Sequence, residues 1–397
     1  MADRLASTLP AAGWTTREDL AALVAALGDG NARYVGGAVR DTLLGLPVSD
    51  IDVATPLTPE AVIECLGAAG MRTVPTGIDH GTVTAVLRGG PVEITTLRHD
   101  VSTDGRRATV AFAADWREDA ARRDFTINAL YADPQSREIF DYFGGLDDLA
   151  HRRVRFIGDA RQRIREDHLR VLRYFRFQAR FGSDPADKEA ERACADLAAT
   201  LQGLSRERIG METFKLLALP DPSPTITRMS ELAVLAVILP EADPARLAML
   251  VAEERRQGFG PDALRRLAAL LPSDPRLAEQ VASRFRLSNG FRKRLVLAAE
   301  RDGGDAARDP RALAYRLGRD AALDRLLIAG MDAGAIREWD IPRFPLKGGE
   351  IVARGVSAGP EVARILRAVE ARWIAQGFPG RERVEELLDE VLNQSGA

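Results

Sequence analysis

The sequence predicts an N-terminal α/β domain with a mixed sheet, followed by an all-helical remainder. Short apolar runs alternate with glycines over residues 31–145, as in "ARYVGG" and "REIFDYFGG", which is typical of strands and tight turns. After residue 146 helical patterns are interrupted only by proline-rich turns such as "LPDPSP" and "LLPSDP". The length of 397 residues also exceeds what one compact core usually supports, which indicates several domains.

The first predicted elements are a helix and, further on, a hairpin. Residues 1–30 form a helical lead-in, because apolar side chains recur there at helical spacing. These side chains are Leu20, Leu23, Val24 and Leu27. Residues 81–97 are predicted to form a hairpin, since "GTVTAVL" and "VEITTLR" flank the turn sequence "RGGP".

Composition excludes several classes of protein. The formal net charge is −3, so the chain as a whole is not a polybasic nucleic-acid binder. Two distant cysteines, Cys65 and Cys194, exclude a disulfide framework and a zinc ribbon and favour a reducing compartment. The N-terminus lacks the pattern of a signal peptide, and no apolar run reaches membrane-spanning length. We therefore predict a cytoplasmic protein that does not bind membranes.

The stretch "YVGGAVRDTLLG" predicts a phosphate site. The apolar run 32–35 is predicted to be a strand, Gly36 and Gly37 allow a tight turn, and residues 38–45 are predicted to form a helix. Unpaired N–H groups at a helix N-terminus attract phosphate. Arg40, in the first turn of this helix, would add a mobile positive charge.

Asp50 and Asp52 follow in the pattern Asp-x-Asp. In a strand, residues i and i+2 point to the same face, and two carboxylates on one face repel unless a cation lies between them. Hard oxygen ligands suit Mg²⁺. Asp-x-Asp by itself is also common in loops that bind nothing, so the prediction depends on its combination with the glycine turn.

The stretch "GGAVRDTLLGLPVSDIDVAT" resembles the signature of the class II nucleotidyltransferases of the polymerase-β-like superfamily. That group includes the tRNA CCA-adding enzymes and the bacterial poly(A) polymerases. The resemblance implies that Gly37 and Arg40 contact a nucleoside triphosphate and that Asp50 and Asp52 hold the two metal ions of a two-metal mechanism. It also implies a third carboxylate on a nearby strand, for which Glu93 in "VEITTLR" is the candidate. A solvated strand glutamate is the alternative for Glu93.

The stretch "ARRDFTINAL", residues 121–130, is similar to a second motif of this family. The resemblance implies that Arg123 contacts the triphosphate. Asp124 and Asn128, at i and i+4, would share a helix face and brace the site. From the residues alone this is only a charged helix start. The resemblance places a flexible loop just before this stretch, which in CCA-adding enzymes helps the switch from C to A addition. Arg106 and Arg107 are the candidates for that role.

The stretch "REDHLRVLRYFRFQARFG", residues 165–182, is predicted to be one amphipathic helix. Asp167, Arg170, Arg173 and Arg180 fall on its polar arc, and Tyr174 lies among them. A solvated face with an Asp167–Arg170 ion pair is one interpretation. The other is recognition of a base edge, since an aspartate can accept from the exocyclic amine of cytosine or adenine while an arginine donates to the ring nitrogen. Uracil and guanine present the opposite pattern and would be rejected.

The same stretch resembles the family motif E-D-x-x-R-x-x-R, which reads C and A. The match covers Glu166, Asp167, Arg170 and Arg173, with Arg176 as a further family position. A further stretch, "LSRERIGMETFKLL" at 204–217, is predicted to be a helix capped by Ser205. The resemblance implies that its Glu207 and Arg208 support the base-reading helix.

The resemblance also implies a subdivision of the chain. We expect a catalytic head over 31–145, a helical neck over 146–220, a helical body over 221–341 and a helical tail over 342–397. The tail would contact tRNA through scattered basic residues. Candidates are Lys347, Arg354 and Arg364.

These expectations combine into one functional hypothesis. The chain would transfer CMP and AMP from CTP and ATP to the 3′ end of tRNA without a template, by two-metal nucleotidyl transfer, with Mg²⁺ as cofactor and no protein partner. The close alternatives are a bacterial poly(A) polymerase or an enzyme that adds only A or only CC. A non-catalytic tRNA-binding protein on the same scaffold is the more distant alternative.

Overall fold

The computed structural model describes residues 8–103, 108–112, 115–302, 304–305 and 309–395. The chain forms two compact units, Met1–Pro240 and Glu241–Ala397. Every described strand lies in the first unit and ends by Asp141, which confirms the predicted change from α/β to helical structure. Arg106 and Arg107 lie outside the described residues.

The described strands of the first unit form one mixed sheet and one two-stranded ribbon. Their bounds are β1 (Arg33–Val35), β2 (Ile51–Thr55), β3 (Thr73–Gly77), β4 (Thr82–Leu87), β5 (Gly90–Thr96), β6 (Arg98–Thr103), β7 (Ala108–Phe112), β8 (Leu130–Ala132) and β9 (Ile139–Asp141). The sheet has seven strands in the order β3-β4-β5-β2-β1-β8-β9, and β6 pairs with β7. Strand β2 pairs parallel with β5 and antiparallel with β1, so the sheet is mixed, as predicted.

The first helices of the first unit alternate with its strands, and the later ones follow the last strand. They are α1 (Glu18–Leu27), α2 (Gly37–Leu43), α3 (Pro59–Ala68), α4 (Trp116–Ala121), α5 (Gly145–Ala150), α6 (Ala160–Glu166), α7 (Arg170–Phe181), α8 (Lys188–Asp196), α9 (Arg206–Leu217), α10 (Ser223–Glu231) and α11 (Val234–Ile238). The predicted lead-in helix and the hairpin of β4 and β5 are both present. Ser205 caps α9 as predicted, because its hydroxyl accepts from the Arg208 backbone N–H at 3.3 Å.

The second unit is helical throughout its described residues. Its helices are α12 (Pro244–Gln257), α13 (Ala263–Leu270), α14 (Pro275–Arg284), α15 (Asn289–Ala299), α16 (Pro310–Leu317), α17 (Arg319–Ile328), α18 (Gly348–Ala353), α19 (Pro360–Ala375) and α20 (Arg381–Ser395). Helices α12, α14 and α16 each begin with an aspartate cap followed by proline. The carboxylate satisfies a free backbone N–H and the proline fixes the first helical residue, so the sequence itself sets these starts.

The helix predicted over 165–182 is broken. Helix α6 ends at Glu166, α7 begins at Arg170, and Asp167 between them has an extended backbone with φ −147° and ψ 106°. Asp167 therefore does not belong to the polar arc of a continuous helix. The placement of Tyr174 on that arc is also wrong: its ring is fully buried and stacks on Phe156 with centroids 5.7 Å apart.

Residues 121–130 also differ from prediction. Helix α4 ends at Ala121, and only a short 3₁₀ turn, Thr126–Asn128, follows in this stretch. Asp124 and Asn128 nevertheless meet, because the amide of Asn128 donates to Asp124 Oδ1 at 3.0 Å. The predicted contact is present without the α-helix on which we had placed it.

No helix among the described residues has both the length and the apolar character that crossing a bilayer requires.

Candidate active site

One cavity of about 900 Å³ in the first unit collects nearly all of the predicted site residues. Those that line it are Gly36, Gly37, Arg40, Asp50, Asp52, Glu93, Arg123, Asp124, Asn128, Asp167, Arg170, Arg173, Arg176 and Arg208. Glu166 and Glu207 are not among its lining residues. Several residues that the sequence analysis missed also line it, including Asp119, Arg122, Phe177 and Lys215.

The central strand β2 places the carboxylates. Asp52 lies in register with Val35 of β1, the last residue before the glycine turn, and on its other side with Glu93 of β5. Residues in register on neighbouring strands project from the same face, so Glu93 stands beside Asp52. Asp50 precedes the strand by one residue and is exposed, and it accepts from the Ser49 hydroxyl at 2.8 Å.

Asp52 is the carboxylate at this end of the cavity whose pKa is shifted. Burial, together with the nearby Glu93 and Asp50 carboxylates, raises the pKa of Asp52, while Arg123 acts in the opposite direction. The ionised form of Asp52 is therefore less stable than that of an ordinary aspartate. A cation placed between these carboxylates would relieve that cost.

The donor set fits a hard divalent cation. Asp50 and Asp52 offer carboxylate oxygens, and Mg²⁺ is commonly held by one or two carboxylates together with substrate phosphates and water. Among the described residues, no three histidine, cysteine, aspartate or glutamate side chains are arranged to hold a metal ion by themselves. The protein side of such a site would thus be the aspartate pair, with further ligands from the substrate.

Gly36 makes the turn that opens the site. Its φ of 70° and ψ of −123° belong to a region that only glycine occupies readily. A β-carbon there would approach Arg123 Nη1 to 3.4 Å. The turn allows β1 to end beside Asp52 and α2 to begin at once, which brings Arg40 to the cavity.

Arg40 is fixed in place, and our prediction of a mobile side chain is wrong. It is only 5% exposed, donates to Asp41 at 2.7 Å and to Asn128, and lies over the ring of Phe181 at 4.1 Å. Burial lowers the pKa of Arg40, although Asp41 opposes that shift. The positive charge of Arg40 is therefore held at a fixed position in the wall of the cavity.

Arg123 is held by two residues that the sequence did not indicate. Its Nε donates to the Tyr131 hydroxyl at 3.1 Å, and its Nη2 donates to Asp119 Oδ2 at 3.2 Å. The Tyr131 hydroxyl in turn donates to Asp119 Oδ2 at 2.6 Å. Burial opposes the charge of Arg123, but Tyr131 and Asp119 keep its pKa above the usual value. The spacing of Asp119 and Arg123, at i and i+4, was the signal available in the sequence.

A chain of polar contacts joins the two sides of the cavity. Arg40 donates to Asn128, Asn128 donates to Asp124, and Asp124 accepts from Arg173 Nε at 2.8 Å. Burial alone would raise the pKa of Asp124, but Arg173 and Asn128 hold it below the usual value. Helix α7 is thereby tied to the turn after β1.

Asp167 does not pair with Arg170. Arg208 Nη2 donates to both of its carboxylate oxygens, at 2.8 and 3.1 Å, and the Leu169 backbone N–H donates to Oδ1 at 3.1 Å. Arg170 instead donates to Glu166 at 2.7 Å and to the carbonyl oxygen of Arg122 at 2.9 Å. The helix break explains the difference, because Asp167 is turned away from the α7 axis.

Arg176 lies deeper along the same helix. Its Nε donates to Glu212 of α9 at 2.7 Å, and its guanidinium lies over Phe177 at 4.6 Å. Glu212 is 5% exposed. No spacing in the sequence indicates this pairing, since the two residues lie on different helices.

Two family models match parts of the chain. Residues 32–155 match the family described as the Poly A polymerase head domain, and residues 186–246 match the one described as the probable RNA and SrmB-binding site of polymerase A. The mitochondrial CCA tRNA nucleotidyltransferase 1 of Mus musculus is 36% identical over 384 residues, which cover 90% of this chain and 86% of that protein. The Homo sapiens protein of the same name is 36% identical over 379 residues, with the same shares covered.

Solved structures agree with this similarity. The Bacillus stearothermophilus CCA-adding enzyme in complex with CTP matches with a TM-score of 0.72 and 26% identity, over 96% of this chain and 98% of that one. The fold is also that of the Thermotoga maritima CCA-adding enzyme complexed with tRNA, with a TM-score of 0.70 and 22% identity over 94% of each chain. The chain therefore belongs to the family of the CCA tRNA nucleotidyltransferases.

Proposed function

We propose that this protein adds CMP and AMP, taken from CTP and ATP, to the 3′ end of tRNA. The observation that carries the proposal is the convergence of the aspartate pair, the glycine turn, the arginines and Asp167 on one cavity. The match covers 86% of each of the two mitochondrial relatives named above, which supports the same activity here.

Transfer of a nucleotidyl group requires that negative charge be stabilised on the triphosphate. Arg123 is the arginine best suited to touch a phosphate, because its side chain is 25% exposed and Tyr131 and Asp119 fix its orientation. Arg40 contributes a buried positive charge, and Gly36 and Gly37 let phosphate oxygens approach the backbone. A divalent cation, which we propose to be Mg²⁺ held by Asp50 and Asp52, would stabilise the attacking and leaving oxygens. Glu93 beside Asp52 would complete the carboxylate set.

The hydrogen bonds that Asp167 and Arg170 already make leave one acceptor and at least one donor for a base. The Asp167 carboxylate has about four acceptor positions and uses three, for two contacts from Arg208 and one from the Leu169 N–H. One acceptor position remains on Oδ2 for an exocyclic amine. Arg170 uses three of its five donors, on Glu166 and on two backbone carbonyls. A donor therefore remains for a ring nitrogen, and Arg208 acts by holding Asp167.

Further residues hold these nucleotide-contacting side chains in place. Glu166 anchors Arg170, and Asp124 and Asn128 join Arg173 to Arg40. Arg173 and Arg176 would add positive charge near the nucleotide. We keep Glu207 as a support of α9.

The domain division is likewise a proposal. It comprises a lead-in over 1–30, a head over 31–145, a neck over 146–220, a body over 221–341 and a tail over 342–397. In the tail, Arg354 forms an ion pair with Asp389 and Arg364 with Glu361, so each would have to exchange an internal partner for tRNA phosphate. We propose a cytoplasmic location, consistent with the free thiols of Cys65 and Cys194.

Incorporation of labelled CTP and ATP, separately and together, tests the proposal. The acceptors are tRNA lacking CCA, tRNA ending in CC, and an unstructured oligoribonucleotide. Growth by three nucleotides on tRNA alone, requiring both triphosphates and Mg²⁺, is the expected result. Long A tails on any RNA would instead identify a poly(A) polymerase, and bound tRNA without incorporation would identify a non-catalytic binder.

A further inference from the structure

Lys215 is a cation of the cavity to which the proposed chemistry assigns no role. The chain has 55 lysine and arginine residues, of which only Lys188, Lys215, Lys293 and Lys347 are lysines. Of these four, only Lys215 lines the cavity. Its side chain is 53% exposed, so its ammonium group is accessible to a ligand.

The position of Lys215 separates it from the nucleotide contacts. It lies seven residues after Arg208 on α9, which is two helical turns or about 10 Å along the axis. Arg208 holds the proposed base-reading carboxylate, whereas the proposed triphosphate contacts belong to the turn after β1 and to Arg123. None of the proposed contacts to the triphosphate or to the base edge is thus made by Lys215, although it shares Glu212 with Arg176.

Glu212 organises this end of the cavity. Its buried carboxylate accepts from Arg176 Nε at 2.7 Å and from Lys215 Nζ at 3.4 Å. Arg176 is the closer partner and satisfies most of the carboxylate's charge. The ammonium group of Lys215 has three donors and a long contact to only one acceptor, so it retains positive charge and free donors toward the cavity.

We propose that Lys215 binds a backbone phosphate of the RNA acceptor strand, and that Glu212 positions it. The inference rests on the proposed function, in which an RNA 3′ end and a nucleotide must occupy the same cavity. A flexible, compact ammonium group suits a phosphodiester whose position changes as the strand grows. Lys215 is thus a binding residue for the second substrate.

Substitution separates RNA binding from nucleotide binding. We expect Lys215→Met to weaken binding of tRNA lacking CCA about 3- to 10-fold and to lower the slope of log K against log salt by about 0.7, the value for one single-strand phosphate. The KM for CTP should not change, and Lys215→Arg should restore most of the tRNA affinity. Lys188→Met, which removes an exposed lysine at the start of α8 outside the cavity, is the matched control and should leave tRNA affinity unchanged.

Amine-reactive footprinting gives a readout without catalysis. In the full-length protein, tRNA should protect Lys215 from acylation, whereas CTP alone should not. Protection by CTP with a raised KM for CTP would overturn the inference and assign Lys215 to the nucleotide. An unchanged tRNA affinity, or an equal loss in Lys188→Met, would also overturn it. Because binding and protection need no turnover, a failure of CCA addition would be detected separately, in the incorporation assay of the unsubstituted protein.

Discussion

Asp52 of β2 and Glu93 of β5 stand side by side in parallel register at the centre of the sheet. Two carboxylates in this relation repel each other, and burial adds to the cost of ionising Asp52. Without a cation, the repulsion between the two carboxylates lowers the stability of the fold. A cation bound between them would compensate this repulsion.

We predict that Asp52→Asn stabilises the metal-free protein at pH 7. The pKa of Asp52 is raised in the folded state, so its contribution to stability is greatest at low pH and falls as pH rises through the folded-state pKa. Removing the charge should raise Tm by roughly 2–4 °C for each kcal/mol gained in the free energy of unfolding. Nucleotide incorporation should fall by more than about 100-fold, which is the upper range for residues that only support metal ligands. Thermal unfolding with and without Mg²⁺ measures the effect. The control is Asp50→Asn, which should change Tm less because Asp50 is exposed. A lower Tm for Asp52→Asn would contradict the prediction.

Tyr131→Phe should impair nucleotide binding through Arg123. The substitution removes a buried hydroxyl that contacts both Arg123 and Asp119, and hydrogen bonds to charged groups contribute about 1.5–3 kcal/mol. We expect the KM for CTP and ATP to rise about 10-fold or more, with tRNA affinity unchanged. Tyr142→Phe is the matched control, since its hydroxyl accepts from Arg33 at 2.8 Å and does not line the cavity. Equal changes in KM for both variants would show that the Tyr131 hydroxyl acts only through stability.

Asp167→Asn should relax base selection. An asparagine can present an N–H where the carboxylate presents only acceptors, so it can donate to the carbonyl oxygen of uracil or guanine, while Arg170 still opposes their ring N–H. We expect the preference for CTP over UTP to fall by roughly 5- to 150-fold, as for loss of one good base contact. Arg208→Met should raise the KM for both CTP and ATP without admitting UTP, because it removes only the group that holds Asp167. Single-turnover incorporation of all four triphosphates distinguishes the two variants.

Gly36→Ala should lower stability by about 1–3 kcal/mol, because alanine at this backbone conformation is strained. Gly37→Ala should fold normally, since its β-carbon would meet only Arg40 Nη2 at an ordinary 3.7 Å. Chemical denaturation compares the two variants. If both lose stability equally, the turn conformation at Gly36 is not the reason that glycine is needed there.

Much of the head could be predicted from the sequence because its signals are local. The hairpin of β4 and β5, the strand that carries Asp52 and the glycine turn each depend on a few adjacent residues. The periodicity of 165–182 misled because a helical wheel assumes one continuous helix. Asp167 was itself the signal for the break: its carboxylate accepts from the Leu169 N–H, as aspartates do at helix starts.

The spacing of residues alone could not predict contacts between distant elements, although the family resemblance implied that Arg208 supports the base-reading stretch. Arg208 reaches Asp167 across 41 residues and Glu212 reaches Arg176 across 36. Nothing in the spacing of either pair indicates that α7 and α9 lie together. Tyr174 was misplaced for a related reason, since its burial depends on Phe156, which lies on a different segment.

The register of β2 with both of its neighbours also governs which changes of length the chain can tolerate. Insertion of a single residue within 51–55 would turn the side chains on one side of it to the opposite face, and an insertion just before Asp52 would move Asp52 away from Glu93. Insertions over 44–49, after α2 and before the strand, would lengthen only a connection. Natural variants of this protein should therefore differ in length before Asp50 and never between Asp52 and Thr55.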